Sequence, residues 1–168
     1  SILTKRHEVA LAHMGVPVVI LGQKSDRYPC IYHDDEGAAC AMMTELLKSG
    51  CRHPAYIGVD RRDKAAGKSR YQGVCRALET YGLHMDEIAY REATFSVQAG
   101  YQAMEQILAE EKRPDGVLCA TDMIAAGVLS CLSERKIAVP EKMKVAGMGH
   151  GAIADLLCPR LTTVHYHY

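Results

Sequence analysis

Residues 117–129, VLCATDMIAAGVL, change from a strand pattern to a helix pattern at a single point. The run VLCA is wholly apolar, which is typical of a strand buried on both faces. From Thr121, a good N-cap residue, apolar residues recur at helical spacing to about Arg135. Asp122 in the first turn is compatible with three roles: a catalytic carboxylate, a ligand contact, or a charge that favours the helix start. The stretch predicts a strand that runs directly into a helix.

The same pairing of strand and helix recurs along the 168 residues, a length that fits one domain. Strand patterns cover 16–21, 30–34, 55–59, 88–92, 116–120 and 144–149, and helix patterns cover 1–13, 35–49, 68–81, 97–111, 121–135 and a short turn at 152–157. Asp34 or Asp35, Ser96 and Thr121 are suitable N-caps. This alternation predicts an α/β fold: a doubly wound, mainly parallel sheet with helices on both faces.

Ligands of such sheets bind beyond the carboxyl ends of the strands. This rule selects the loops that start at Asp60, Ala93, Thr121 and Met148. Arg70 follows the first of these loops, and it either makes bidentate hydrogen bonds to a ligand or is a solvated surface arginine. Phe95, the only phenylalanine, lies in the second loop and either stacks on a sugar ring or fills the core.

The composition narrows the class of protein. Twenty Lys and Arg balance twenty Asp and Glu, so no long-range field attracts nucleic acid or an anionic membrane to this segment. No apolar run is long enough to span a membrane, and no signal peptide is recognisable. The seven cysteines are too far apart to form a CxxC pair, and they fit reduced core thiols. We therefore expect a cytoplasmic protein.

Sequence motifs for catalysis or metal binding are missing. The tripeptide Gly67-Lys68-Ser69 ends like a phosphate-binding loop, but Gly58 is too far upstream to complete one. The pair His165 and His167, like His33 beside two aspartates, supplies too few ligands for a metal. No GxSxG or HExxH motif is present. We expect no catalytic residues, no metal and no cofactor.

Several ordered stretches resemble the effector-binding core of the lac repressor family of sugar-responsive transcriptional regulators. These stretches are VPVVIL, YHDDEGAACAMMTELLKSGCRHPAYIGV, DKAAGKSRYQGVCRALETYGL, RPDGVLCATDMIAAGVLSCLSERKIAVPEKMKVAGMG and PRLTTV. Each piece alone is weak evidence, but their order and spacing together are specific and cover nearly all of the chain. The sequence is most similar in character to the trehalose and sucrose operon repressors.

The resemblance implies a two-lobed fold of the periplasmic binding protein type (type I), with an effector in the cleft between the lobes. By this resemblance, residues 1–28 are the C-terminal part of the N-terminal lobe, residues 29–164 form most of the C-terminal lobe, and residues 165–168 begin the return crossover. The chain is then incomplete: a helix-turn-helix domain and most of the N-terminal lobe are expected outside it.

The resemblance also implies an effector site. Its residues would be Arg70, Phe95, Thr121, Asp122, Gly149 and His150. The sequence departs from the family at GMGHG, where many members place an aspartate that binds sugar hydroxyls. His150 would instead donate a hydrogen bond, and it would suit an anionic effector.

The implied function is allosteric: a sugar or sugar phosphate controls operator binding by a homodimer through a DNA-binding domain outside this chain. The helix 123–135, with Leu129 and Leu132, is a candidate dimer surface. The main alternative is a transport-type periplasmic sugar-binding protein, but seven unpaired cysteines argue against export. An enzyme on the same fold would need a nucleophile with its base or a phosphate loop, and we can assemble neither.

Overall fold

The computed structural model describes residues 4–149 and 151–166. Its centre is a five-stranded sheet formed by β3 Pro54–Gly58, β4 Ala89–Glu92, β5 Gly116–Cys119, β6 Lys144–Gly149 and β7 Thr162–His165. All neighbouring strands are parallel, and their order in the sheet is β4–β3–β5–β6–β7. The predicted α/β fold with a parallel sheet is confirmed.

Five helices alternate with these strands, and they are α2 Asp35–Lys48, α3 Arg70–Thr80, α4 Val97–Leu108, α5 Asp122–Glu134 and α6 Ala152–Leu156. A Cβ added at Gly116 would meet Leu46 of α2, whereas one at Gly147 would meet Ala125 of α5. Gly116 and Gly147 point to opposite faces, since Gly116 pairs with Lys144 and side chains alternate along a strand. Helices therefore cover both faces, and every residue of β3 and β5 is buried.

The predicted N-caps are confirmed. The side chain of Asp34 accepts a hydrogen bond from the Gly37 backbone N–H at the start of α2. Ser96 and Thr121 do the same for α4 and α5. These local signals fix the points at which the chain leaves the sheet and turns into a helix.

The first part of the chain differs from the prediction. The strand predicted at 16–21 is only β1, Ile20–Leu21, and the one predicted at 30–34 is only β2, Cys30–Ile31. These two short strands pair with each other in a separate parallel sheet, and Leu21 and Ile31 are about 70% exposed. The ladder between β1 and β2 consists of the pairs Ile20–Cys30 and Leu21–Ile31. The first helix, α1, spans Lys5–Ala12 and follows an extended Thr4.

The positions of α2 and β2 bear on the division into lobes. The strand β2 pairs with β1, but α2 packs against β5, β6 and β7 of the large sheet. The change from one sheet to the other thus falls between Ile31 and Asp35. The division into 1–28, 29–164 and 165–168 stays a prediction.

The predicted dimer surface on α5 needs a correction. Leu129 is 8% exposed and Leu132 is fully buried, because both pack into the core of the same chain. Gly127 lets α4 and α5 come into close contact, because a Cβ there would overlap the carbonyl oxygen of Val97. The outward residues of α5 are instead Met123, Ser130, Ser133 and Glu134.

No helix within residues 4–149 and 151–166 is both long enough and apolar enough to cross a membrane.

Candidate functional site

The carboxyl ends of the parallel strands meet at one edge of the sheet, which we call the carboxyl edge. The loops after β3, β4, β5 and β6 all lie there, as the sequence predicted. Four of the predicted site residues start or border these loops, and Arg70 begins the helix after the first loop. The opposite end of the sheet is called the amino edge.

Arg70 is held in the carboxyl edge by neighbouring groups. Its Nε and Nη2 both donate to Oδ1 of Asp35 at 2.7 Å. Its Nη1 donates to the carbonyl oxygen of Ala120, the residue that follows β5. The side chain of Arg70 is only 12% exposed, so it is not a solvated surface arginine.

An irregular helical turn directly precedes Arg70. Residues Lys64–Ser69 form a π-helix, a rare geometry often found at functional sites. The side chain of Asp63 accepts hydrogen bonds from the backbone N–H groups of Ala65 and Ala66 and so caps the turn. Gly67 is required by close packing, since a Cβ there would overlap the carbonyl oxygen of Asp60. The helix predicted from Lys68 therefore becomes a regular α-helix only at Arg70.

Asp35 and Tyr166 complete the surroundings of Arg70, and the sequence reasoning missed both. The Tyr166 hydroxyl donates to Oδ1 of Asp35 at 3.1 Å. The guanidinium of Arg70 lies over the Tyr166 ring, 5.6 Å from its centre. The sequence pattern indicates Asp35 only as a helix cap or as a neighbour of His33, although it lies at the edge that ligand sites use. Tyr166 directly follows β7 at the same edge, which was the available signal.

A cavity of about 360 Å³ opens beside Asp35. Asp35 lines it together with Gln23, Lys24, His33, Lys64 and Ser69. Gln23 is 8% exposed, and its Oε1 has no hydrogen-bond partner among the described residues. A buried amide oxygen without a partner is costly, and a ligand donor would satisfy it.

Asp122 is buried and bonded within the lobe. Its Oδ1 accepts from the Thr163 hydroxyl at 2.6 Å, and its Oδ2 accepts from the Gly151 backbone N–H at 2.9 Å. A Cβ at Gly147 would lie only 2.6 Å from Oδ1, so glycine leaves the room that the carboxylate fills. Asp122 therefore joins the start of α5 to the loop after β6 and to β7. A direct contact with an effector stays a prediction.

Thr121, Phe95 and Gly149 lie at the same edge. Thr121 caps α5 through the backbone N–H of Ile124. Phe95 is 54% exposed, so it does not fill the core. Gly149 ends β6 with φ +136°, a conformation that favours glycine. His150 lies outside the described residues.

The two arginines of the loop after β3 are paired with carboxylates. Arg61 lies 3.5 Å from Glu92 and also stacks over Tyr71. Arg62 pairs with Asp60, and hydrogen bonds from its side chain and backbone lower the pKa of that carboxyl. Within residues 4–149 and 151–166, no three His, Cys, Asp or Glu side chains are grouped to hold a metal ion. The edge offers hydrogen-bond donors and acceptors and the exposed aromatic ring of Phe95.

The amino edge carries a different arrangement around Asp115. Its carboxylate accepts hydrogen bonds from the Cys51 thiol and from the backbone N–H groups of Arg52 and His53. Burial alone would raise the pKa of Asp115, but these bonds outweigh it and the net shift is downward. Burial, with the bond to Asp115, raises the pKa of the Cys51 thiol. Cys51 is therefore a protonated thiol at neutral pH and not an activated nucleophile.

A parallel, doubly wound lobe with helices on both faces is typical of folds whose ligands bind beyond the carboxyl ends of the strands. Residues 43–168 match the family described as "Periplasmic binding protein-like domain". The chain belongs to that family.

Its relatives are transcriptional regulators by name. The chain is 32% identical over 155 residues to the HTH-type transcriptional repressor PurR of Vibrio atlanticus, covering 91% of this chain and 46% of the relative. It is 28% identical over 170 residues to the sucrose operon repressor of Staphylococcus xylosus, covering 99% and 51%. The crystal structure of a LacI family transcriptional regulator from Burkhoderia phymatum superimposes with a TM-score of 0.92 at 26% identity, covering 98% of this chain and 60% of that one.

The predicted resemblance to the lac repressor family is confirmed by these relatives. The chain spans about half the length of the curated relatives it matches.

Proposed function

We propose that the chain is the effector-binding and dimerisation core of a transcriptional repressor, with a sugar or sugar phosphate as its effector. The observation that carries this proposal is the partly engaged guanidinium of Arg70. Each terminal nitrogen of a guanidinium carries two N–H groups, so Nη1 and Nη2 each keep one that no described residue accepts. Two fixed N–H groups suit the hydroxyl oxygens of a sugar.

Three further features support a sugar as the ligand. The exposed ring of Phe95 offers a flat apolar face at the same edge. The cavity beside Asp35 has room for polar groups, and the unpartnered Oε1 of Gln23 would accept a hydroxyl proton there. Thr121, Asp122 and Gly149 shape the loops that border the crevice.

The proposed mechanism is binding and allostery, without catalysis. The effector binds one arrangement of the two lobes more tightly, and this difference in affinity biases the arrangement of two DNA-reading domains in a cytoplasmic homodimer. The exposed residues of α5, led by Met123 at 41% exposure, are our candidate dimer contacts. Operator DNA is bound by a domain outside this chain.

Thermal-shift screening of the full-length protein against sucrose, trehalose and their 6-phosphates tests the proposal. A ligand at about 100 times its Kd stabilises the folded state by about 2.7 kcal/mol, which raises the melting temperature measurably. We expect at least one of these sugars to do so.

Two variants locate the site in the same assay. Arg70→Ala is expected to weaken binding at least about tenfold, the equivalent of about 1.4 kcal/mol. Arg76→Ala is the matched control, because Arg76 lies on the same helix and forms an exposed ion pair with Glu36. The proposal fails if no sugar stabilises the protein, or if Arg70→Ala binds as tightly as the parent.

A further inference from the structure

We propose that Asp35 is a specificity-determining residue: it cancels the charge of Arg70, so that this lobe selects uncharged hydroxyl groups over anionic ones. The inference rests on the proposed function, since it concerns the ligand that the carboxyl edge would bind. It goes further by naming which residue decides between neutral and phosphorylated sugars.

The geometry of the ion pair between Arg70 and Asp35 is the first observation that supports cancellation of the charge. Asp35 Oδ1 meets both Nε and Nη2 of Arg70 at 2.7 Å. The side chains are 7% and 12% exposed, so little water lies between or around the charges to screen them. An incoming anion therefore meets a neutral pair and not a free cation.

Other contacts hold the carboxylate in place. Tyr166 donates its hydroxyl to the same Oδ1, and its ring lies under the guanidinium. Asp35 is also the first residue of α2, where the helix dipole favours a negative charge. The pair is thus fixed by residues from three parts of the chain and does not depend on a flexible surface contact.

The other charges around Asp35 give no excess of positive charge, because Lys24 and Lys64 line the cavity beside it together with Asp34 and Glu36. Arg61 and Arg62, in the loop after β3, face Glu92 and Asp60. Asp122 is buried, with both oxygens bonded. Hydrogen bonding, and not net charge, is left to select the ligand at this edge.

Replacing Asp35 by asparagine separates charge from shape. Asp35→Asn keeps one oxygen for Arg70 and Tyr166, replaces the other carboxylate oxygen by an amide NH2 and removes the negative charge, so the charge of Arg70 is no longer cancelled. Glu45→Gln is the matched control: Glu45 lies further along α2, its ion pair with Lys48 is exposed, and it does not line the cavity beside Asp35.

The experiment is a calorimetric titration of the full-length parent and both variants with sucrose and sucrose 6-phosphate, or with whichever neutral and phosphorylated pair the screen selects. The readout is the ratio of the Kd for the neutral sugar to the Kd for the phosphorylated one. We expect this ratio to rise about tenfold in Asp35→Asn and to stay within twofold of the parent in Glu45→Gln, since tenfold corresponds to about 1.4 kcal/mol of altered charge preference. An unchanged ratio in Asp35→Asn overturns the inference.

Two more variants separate specificity from folding. Asp35→Glu keeps the charge and is expected to keep the parent's ratio even if both sugars bind more weakly. Asp35→Ser removes the charge with a smaller side chain, and it should raise the ratio even if Asp35→Asn fails to fold. A ratio that shifts equally in Asp35→Glu and Asp35→Ser contradicts a charge effect. If the parent binds neither sugar, the proposed function itself fails, whereas binding with an unchanged ratio in the neutral variants defeats only this inference.

Discussion

The two edges of the sheet use polar groups in opposite ways. At the amino edge, the carboxylate of Asp115 is surrounded by the Cys51 thiol and two backbone N–H groups of the same chain. A cavity of about 400 Å³ opens there beside Arg52 and His53, yet the backbone N–H groups of both residues are already bonded to Asp115. At the carboxyl edge, Arg70 keeps N–H groups that no described residue accepts, and Phe95 exposes its ring. The buried Oε1 of Gln23, which has no hydrogen-bond partner among the described residues, also lies in the cavity at this edge, and a buried polar atom of this kind is a stronger indication of a binding site than the size of a cavity.

Asp122 is an exception to this contrast between the two edges. It lies at the carboxyl edge, but its carboxylate is bonded within the chain like that of Asp115. We expect Asp122→Ala to lower the free energy of unfolding by about 3 kcal/mol, since it leaves the Thr163 hydroxyl and the Gly151 N–H without their charged acceptor. Urea denaturation measures the loss. Asp155→Ala, at an exposed position on α6, is the control and should change stability by less than about 0.5 kcal/mol. An Asp122→Ala protein as stable as its parent would show that these bonds contribute nothing.

Asp115 sharpens the comparison from the other edge. Asp115→Ala is expected to cost about 2 kcal/mol, because three donors lose one acceptor. The sugar affinity of Asp115→Ala should stay within twofold of that of the parent, since Asp115 lies at the edge opposite to Arg70. Denaturation and calorimetry on the same preparation give both values. A large loss of affinity with little loss of stability would reverse the roles assigned to the two edges.

The lowered pKa of Asp115 also predicts a pH dependence. A carboxyl whose pKa is lower in the folded state stabilises the fold above its unfolded pKa of about 4, and this stabilisation is lost as the pH falls through the folded pKa. The stability of the parent should therefore fall more steeply from pH 5 to pH 3 than that of Asp115→Asn. Urea midpoints across this range test the sign, and parallel curves for the two proteins would contradict it.

Replacing Phe95 is expected to have the smallest effect on stability and a clear effect on sugar affinity. Its ring is 54% exposed, so Phe95→Ala should change stability by less than about 0.5 kcal/mol. Loss of stacking is worth about 1 kcal/mol, which is roughly a fivefold weaker affinity for the sugar. Phe95→Tyr keeps a flat ring and should bind nearly as well as the parent. Equal affinities for the alanine variant and the parent would remove Phe95 from the site.

The sequence predicted features that depend on neighbouring residues. The apolar runs located four of the five strands of the large sheet along the chain, and Asp34, Ser96 and Thr121 marked the starts of three helices because capping is a local hydrogen bond. The carboxyl-edge rule selected the loops after β3, β4, β5 and β6, and their part in binding stays a prediction. The resemblance to a known family, and not spacing alone, singled out Arg70.

The features that escaped prediction depend on contacts across the chain. Asp35 and Arg70 are 35 residues apart, and Tyr166 lies 131 residues from Asp35, so no local pattern joins them. The π-helix includes Gly67, which packs against the Asp60 carbonyl, and the burial of Leu129 and Leu132 follows from the packing of α5 in the core. The strands at 16–21 and 30–34 had apolar patterns, but their length was set by the partner beside them.

Calorimetric titration of the parent, Arg70→Ala and Asp115→Ala with the sugar chosen by the screen tests the central claim most directly. The account predicts that Arg70→Ala loses at least about tenfold in affinity, while Asp115→Ala binds within about twofold of the parent despite its lower stability. Equal affinities for Arg70→Ala and the parent, or equal losses in both variants, would contradict an effector site at the carboxyl edge.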